Sequence, residues 1–97
     1  MANKVGAAVA VVKLTDWAAV TGERDAIHKT YQFSDFKTAW AFMSACALKA
    51  EQMDHHPEWF NVYGKVEVTL TTHDANGVTD LDLTLATFMD ELASKLA

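Results

Sequence analysis

The spacing of apolar and polar side chains changes several times along the chain, and each change predicts a structural element. From Ala26 to Phe33 apolar and polar positions alternate, and β-branched and aromatic side chains are frequent. This pattern is typical of a strand that is covered on one face. A short strand over residues 16–20 and a turn at residues 21–23 precede it, so residues 17–33 are predicted to form a hairpin.

A helix is predicted for residues 35–53, because apolar residues recur there at spacings of three and four. Ser34 is expected to cap its N-terminus, since a hydroxyl oxygen can accept a free backbone N–H of the first turn. Phe42 and Leu48 lie beside or off the apolar stripe. The stripe is predicted to consist of Phe36, Ala39, Trp40, Met43, Cys46, Ala47 and Ala50.

A second hairpin is predicted after Pro57, where the period of the pattern becomes two. Its strands are expected at residues 59–63 and 65–73, with Gly64 as the turn or bulge residue between them. His73 therefore falls at the end of the second strand, where binding residues often lie. Residues 74–77 are predicted to form a loop.

The last helix is predicted for residues 80–96, after a capping box formed by Thr79 and Asp82. Asp90 and Glu91 are interpreted as part of its solvent-exposed face. The apolar run at residues 5–12 is expected to pack on the domain as a strand or short helix. The order ββαββα predicts an α+β fold, with about four antiparallel strands and helices packed on one face.

Composition narrows the classes of protein that the chain can belong to. At 97 residues it is expected to be a single domain over residues 1–97, and a hydrophobic content of 51% excludes general disorder. The net charge of −5 argues against direct nucleic-acid binding. The single cysteine, Cys46, cannot form an intramolecular disulfide, and the run 5–12 is too short for a membrane span or a signal peptide.

The strongest candidate chemistry lies in the acidic second half of the chain, at His55-His56-Pro57. Imidazoles titrate near neutral pH, and the proline should end the helix and send the two rings in different directions. Asp54 could orient one ring, His73 is a third imidazole, and Trp59 could stack on a flat heterocycle. A polar surface turn remains an alternative, and so does a zinc site of three histidines, although the chain lacks a His-Glu-x-x-His spacing.

These residues resemble the signature of the pterin-4a-carbinolamine dehydratases. The resemblance covers roughly residues 14–96, and the run Asp54-His-His-Pro-Glu-Trp-Phe-Asn-Val-Tyr63 is its most specific part. The other matching positions are Gly22-Glu-Arg-Asp-Ala-Ile27, Phe33-x-Asp35-Phe36, Glu51, Leu70-Thr-Thr-His-Asp74 and Asp82. Leu81 and Ala75 depart from the pattern, because many relatives have Arg and animal members have Cys at these places.

The resemblance implies an enzyme, without metal or other cofactor, that removes water from 4a-hydroxytetrahydropterin. By this analogy His55, His56 and His73 carry the proton transfers. Asp54, Thr71, Thr72 and Asp74 would contact the pterin, whereas Pro57 and Trp59 would shape the pocket. Glu51 and Asp82 would orient rings or cap helices.

The resemblance also implies partners and a location. Family members are commonly homotetramers, and animal members bind a homeodomain transcription factor through the helix predicted here at 35–53. Ala45 and Leu48 are residues that could serve such a surface. A cytoplasmic location is expected, with a nuclear one as the further family analogy.

Overall fold

The computed structural model describes residues 2–97 and shows three α-helices and one antiparallel sheet. None of the helices in this range is long and apolar enough to cross a membrane. The elements are α1 (Ala7–Lys13), β1 (Ala18–Ala19), β2 (Ile27–Gln32), α2 (Phe36–Met53), β3 (Glu58–Val62), β4 (Lys65–Leu70) and α3 (Asp80–Leu96), with a 3₁₀ turn at His73–Ala75.

The four strands pair in the order β1-β2-β4-β3, and every pairing is antiparallel. β2 and β4, which are distant in sequence, form the centre of the sheet, with Ile27 opposite Leu70. The two predicted hairpins form its flanks, because Ala18 pairs with His28 and Trp59 with Val68. The predicted α+β fold is therefore confirmed.

Only one face of the sheet is covered. Ile27 and Tyr31 of β2 point into the core, whereas His28 and Thr30 between them are exposed. This is the two-residue alternation expected for a sheet with helices on one side. The covered face of β4 contributes Val66, Val68 and Leu70.

The residue that caps the N-terminus of α2 differs from the predicted one. Asp35, and not Ser34, is the N-cap residue, and its Oδ1 accepts the backbone N–H of Thr38 at 2.8 Å. Hydrogen bonds from the side chain and the backbone of Thr38 lower the pKa of Asp35, and Lys37 lowers it further. A carboxylate also complements the positive end of the helix dipole, which favours aspartate over the neighbouring serine.

The predicted apolar stripe of α2 was wrong for several positions. Phe42, predicted to lie off the stripe, is completely buried, whereas Phe36 is 48% and Trp40 is 56% exposed. Ala47 is also exposed. Apolar residues surround most of this helix, so spacing alone could not determine which side faces the sheet.

The core between α2 and the sheet contains a cluster of aromatic rings and a buried thiol. Phe42 lies 4.8 Å from the Tyr31 ring and 5.0 Å from the Phe33 ring, measured between centroids. Cys46, one turn further along α2, is fully buried. Burial raises the pKa of this thiol to about 12, since the charged form would lose its solvation.

The run 5–12 forms most of helix α1, which confirms the expected packing on the domain. Ala7 and Ala10 are buried. The carboxylate of Asp25, just before β2, accepts the backbone N–H of Ala7 at 3.0 Å and that of Val78 at 2.8 Å. These two bonds lower the pKa of Asp25. Through them, the start of α1 and the segment before α3 both contact the same carboxylate.

Helix α3 has the predicted bounds and capping box, but its acidic face is not simply solvated. Asp90 accepts hydrogen bonds from Trp17 Nε1, Lys29 Nζ and Tyr31 Oη, at distances of 3.1, 2.7 and 2.5 Å. Burial and this carboxylate raise the pKa of Tyr31. Asp90 therefore anchors α3 to β2, a contact that helical spacing could not reveal.

Strand β4 ends earlier than predicted, at Leu70 and not at residue 73. The chain then closes into a short loop in which the backbones of Thr72 and Gly77 exchange two hydrogen bonds of 2.9 and 3.2 Å. His73 begins a 3₁₀ turn inside this loop, and Asn76 ends it with a φ of 54°. His73 thus lies on a turn beyond the sheet.

Candidate active site

The histidine pair follows directly from the way α2 ends. Asp54 adopts left-handed backbone angles of φ 52° and ψ 43°, and the N–H of His55 bonds back to the carbonyl of Ala50 at 3.0 Å. This arrangement is a common helix C-terminus. Pro57 then fixes an extended path into β3. The sharp turn places one imidazole inside the protein and the next one outside.

His55 is the inner imidazole, and its partner is a buried carboxylate. Its Nε2 lies 2.5 Å from Oδ1 of Asp82, which is completely buried. The other carboxylate oxygen accepts the hydroxyl of Thr72 at 2.8 Å and the backbone N–H of Thr79 at 2.9 Å. Asp82 therefore closes the capping box of α3 and at the same time orients His55.

His56 is the outer imidazole. It is exposed, and its Nε2 lies 2.8 Å from Oε1 of Glu51, one turn back on α2. The opposite burial of His55 and His56 confirms that the two rings leave the chain in different directions. Each ring also has its own carboxylate.

His73 is the third imidazole, and it also bonds a carboxylate through Nε2. Its partner is Oε2 of Glu58, at 3.1 Å. Both oxygens of Glu58 accept from Arg24, at 3.0 Å from Nη1 and 2.6 Å from Nη2. These contacts, Arg24 first and His73 second, lower the pKa of Glu58 to about 2.

Sequence reasoning assigned no role to Arg24 or Glu58. They lie 34 residues apart and on different elements, so no local spacing relates them. Both do fall inside the stretches that resemble the dehydratase family, and this was the only sign of their importance in the sequence.

The three imidazoles surround one shallow depression of about 200 Å³. Thr71 is held there by a bond from its hydroxyl to the carbonyl of Asp25, at 2.8 Å. Glu51 and Asp82 support the depression from behind, as the partners of His56 and His55. The lining residues are Asp54, His55, His56, Thr71, Thr72, His73 and Asp74.

Two of the predicted binding residues, Pro57 and Trp59, do not line this depression. Trp59 lies on β3 opposite Val68, and its partly buried side chain packs against the core. Pro57 acts through the backbone, as the residue that leads from the histidine pair into β3. Their predicted role in shaping the pterin pocket stays a prediction.

A second, larger hollow of about 400 Å³ adjoins the first and shares Thr71, Thr72 and His73 with it. Arg24 and Asn76 contribute to its other wall. A groove of similar volume between α2 and α3 contains no imidazole. The chemistry of the side chains, and not the size of the cavity, therefore identifies the site.

The arrangement is suited to proton transfer. Imidazole is a common general acid or base, and the three rings are held by Asp82, Glu51 and Glu58. Within residues 2–97 no group of three or more His, Cys, Asp or Glu side chains is placed to hold a metal ion.

The chain is also similar to proteins of a known family. The family model described as pterin 4 alpha carbinolamine dehydratase matches residues 3–92. A protein of Paraburkholderia xenovorans (strain LB400) is 54% identical over 87 residues, which cover 90% of each chain. A protein of Burkholderia pseudomallei (strain 1710b) is 57% identical over 79 residues, covering 81% of this chain and 77% of its own. Both are named, provisionally, pterin-4-alpha-carbinolamine dehydratases.

Two solved structures share the fold. A Brucella melitensis protein described as a transcriptional coactivator/pterin dehydratase superposes with a TM-score of 0.88 at 47% identity, covering 94% of this chain and 99% of its own. A pterin dehydratase-like protein described as a RuBisCO assembly factor of the alpha-carboxysome has a TM-score of 0.68 at 23% identity, with coverage of 80% and 89%. The second likeness concerns the fold alone.

Proposed function

Because the chain belongs to the pterin-4a-carbinolamine dehydratase family, we propose that it dehydrates 4a-hydroxytetrahydrobiopterin to quinonoid dihydropterin and water. The observation that carries this proposal is the depression lined by His55, His56 and His73, each with a carboxylate at Nε2. In the cell, this reaction would support the recycling of tetrahydrobiopterin.

The reaction needs two proton transfers. The departing 4a-hydroxyl must gain a proton to leave as water, and the N5 position must lose one as the new double bond forms. Groups that titrate near ambient pH serve both purposes best. We assign the two transfers to the imidazoles of His55, His56 and His73, which need no metal and no further cofactor for this step.

The remaining polar groups of the depression would bind and orient the pterin. Asp54 and Asp74 contribute carboxylates to its lining, and Thr71 and Thr72 contribute hydroxyl oxygens. The oxygens of these groups can accept hydrogen bonds from the amino and amide N–H groups of a pterin ring.

The test is a stopped-flow dehydration assay with chemically generated carbinolamine. His56→Ala and His73→Ala should each lower kcat by about 100-fold, the low end of what a general acid or base contributes. His28→Ala is the matched control, because His28 is an exposed imidazole near the start of β2, outside the depression. It should keep the kcat of the wild type.

His55 needs a separate treatment, since removal of a buried imidazole also leaves Asp82 without a partner. The His55→Ala, His56→Ala double variant should lose dehydration, with its fold checked by circular dichroism. If a folded double variant turned over the carbinolamine at the rate of the wild type, the catalytic assignment would be wrong.

We further propose that the protein is a cytoplasmic homotetramer, as the family resemblance implies. Exposed apolar side chains on two separate surfaces support association. Phe36, Trp40 and Leu48 are exposed on α2, and Phe60 and Val62 are exposed on β3.

A second candidate function is that of a dimerisation cofactor for a homeodomain transcription factor, which would also permit a nuclear location. Two observations favour it: the Brucella relative is described as a transcriptional coactivator, and Leu48 on α2 is 75% exposed. Leu48→Glu should abolish binding to such a factor and keep dehydration, whereas the double histidine variant should do the reverse. Retained binding by Leu48→Glu would contradict this candidate.

A further inference from the structure

The contacts of His73 indicate that a pair of residues, Glu58 and Arg24, orients its imidazole. His73 is 75% exposed as a side chain and begins a three-residue turn, so its ring would rotate freely without a partner. Glu58, at the first position of β3, supplies that partner through Nε2 at 3.1 Å. Both carboxylate oxygens of Glu58 in turn accept hydrogen bonds from Arg24.

A carboxylate accepts hydrogen bonds and donates none, so the nitrogen that faces it must carry the proton. With Glu58 at Nε2, the neutral ring of His73 is the Nε2–H tautomer, and Nδ1 holds the lone pair. Among residues 2–97 no side chain or backbone group forms a hydrogen bond with this Nδ1. It therefore stays available to a bound molecule.

We infer that Arg24 and Glu58 are positioning residues, which fix His73 in the Nε2–H tautomer so that it exchanges its proton with the substrate through Nδ1. This inference rests on the proposed dehydratase function. In the exchange, Nδ1 takes or gives one proton, Nε2–H stays bonded to Glu58, and Glu58 keeps its charge throughout.

The geometry of the pair favours this role over a simple surface ion pair. A two-bond contact between a guanidinium and a carboxylate fixes direction as well as distance. It joins the loop before β2 to the first residue of β3, close to the turn after β4. The low pKa of Glu58, about 2, means that its carboxylate is ionised at any pH at which an imidazole titrates. His55 and His56 likewise bond Asp82 and Glu51 through Nε2.

The experiment combines ¹⁵N NMR of the imidazoles with the dehydration assay, on the full chain. In the wild type, Nδ1 of neutral His73 should show the shift of an unprotonated nitrogen. Glu58→Gln should raise the fraction of the Nδ1–H tautomer, because an amide can also donate to Nε2. It should lower kcat about tenfold or more and leave KM within about twofold, since displaced orienting partners typically cost this much. The imidazole signals of His55 and His56 should not move.

Two further variants sharpen the test. Arg24→Ala should shift the His73 tautomer in the same direction as Glu58→Gln, and Arg24→Lys should shift it less, because lysine keeps the charge but loses the second bond. Glu67→Gln is the control, since Glu67 is an exposed carboxylate on β4 whose partner is Lys65. It should change neither readout.

The outcomes separate the inference from the proposed function. A wild type that fails to dehydrate the carbinolamine contradicts the proposed function, and the tautomer measurement still decides whether Arg24 and Glu58 set the ring of His73. An unchanged His73 tautomer in Glu58→Gln overturns the inference. A changed tautomer with an unchanged kcat overturns it as well, because the ring orientation would then not matter for the reaction.

Discussion

At the scale of single residues, Asp82 combines complete burial with several hydrogen bonds. Its carboxylate is fully buried and accepts from His55, Thr72 and the backbone of Thr79. The capping box of α3 could be predicted from the local sequence, because Thr79 and Asp82 are three residues apart. The contact with His55, 27 residues away, could not, since it depends on how α3 packs against the end of α2.

Asp82→Ala is expected to lower the free energy of unfolding by about 3 kcal/mol, because buried donors lose their acceptor and the helix loses a cap. Urea unfolding followed by circular dichroism measures this difference. Asp80→Asn, an exposed acid in the first turn of the same helix, serves as the control and should change stability by less than about 0.5 kcal/mol. Equal losses for the two variants would contradict the buried role of Asp82.

Some residues of the candidate site could be predicted from the sequence, and others could not. The pair His55-His56 and the third imidazole His73 could be singled out because of their chemistry and the helix-ending Pro57. Arg24 and Glu58 could not, since their role comes from contacts between distant segments.

At the scale of elements, position and type were predictable and orientation was not. Helix α2 has almost its predicted bounds, yet Phe42 and Trp40 exchanged their expected places inside and outside. Strand β4 stopped at Leu70, because the pairing of Thr72 with Gly77 gives the following backbone groups other partners. Such contacts are set by the tertiary structure.

At the start of helix α1, Asp25 accepts the backbone N–H of Ala7, and this contact makes the stability of the protein depend on pH. The backbone N–H groups of Ala7 and Val78 lower the pKa of Asp25 below its ordinary value of 3.8. The stability that this carboxylate contributes is therefore present above pH 3.8 and is lost as the pH falls through the lower folded-state pKa.

Asp25→Asn should accordingly cost about 1–2 kcal/mol at neutral pH. The difference between wild type and variant should stay constant above about pH 5 and shrink as the solution becomes more acidic. Urea unfolding over a pH series measures it, and hydrogen exchange should show early opening of α1. Glu23→Gln, in the same loop, is the control. A difference that grows toward low pH would contradict the assignment.

At the scale of the whole molecule, two of the surfaces that expose large apolar side chains are candidates for contacts between subunits. One is on α2, with Trp40 and Leu48, and the other is on β3, with Phe60 and Val62. Large apolar side chains exposed in groups mark contacts with other proteins. A chain with two such surfaces can assemble beyond a dimer.

We expect Trp40→Glu and Phe60→Glu each to reduce the assembly to a smaller species, and the combination to give a monomer of 10.7 kDa. Light scattering after size-exclusion chromatography at micromolar concentration measures the masses. Val12→Glu, on the exposed side of α1, is the control substitution. A wild-type mass of a single chain would contradict the expected tetramer.

Cys46 gives the molecule a built-in reporter of its own opening. Since the thiol is fully enclosed and resists ionisation, a thiol-specific reagent can attack it only after α2 separates from the sheet. Under native conditions the rate of labelling at Cys46 therefore reports how often the core opens, without an added probe. A bound pterin should lower the labelling rate in proportion to the occupancy of the site. The affinity for the ligand can therefore be measured from the labelling of Cys46, even in variants that have lost activity.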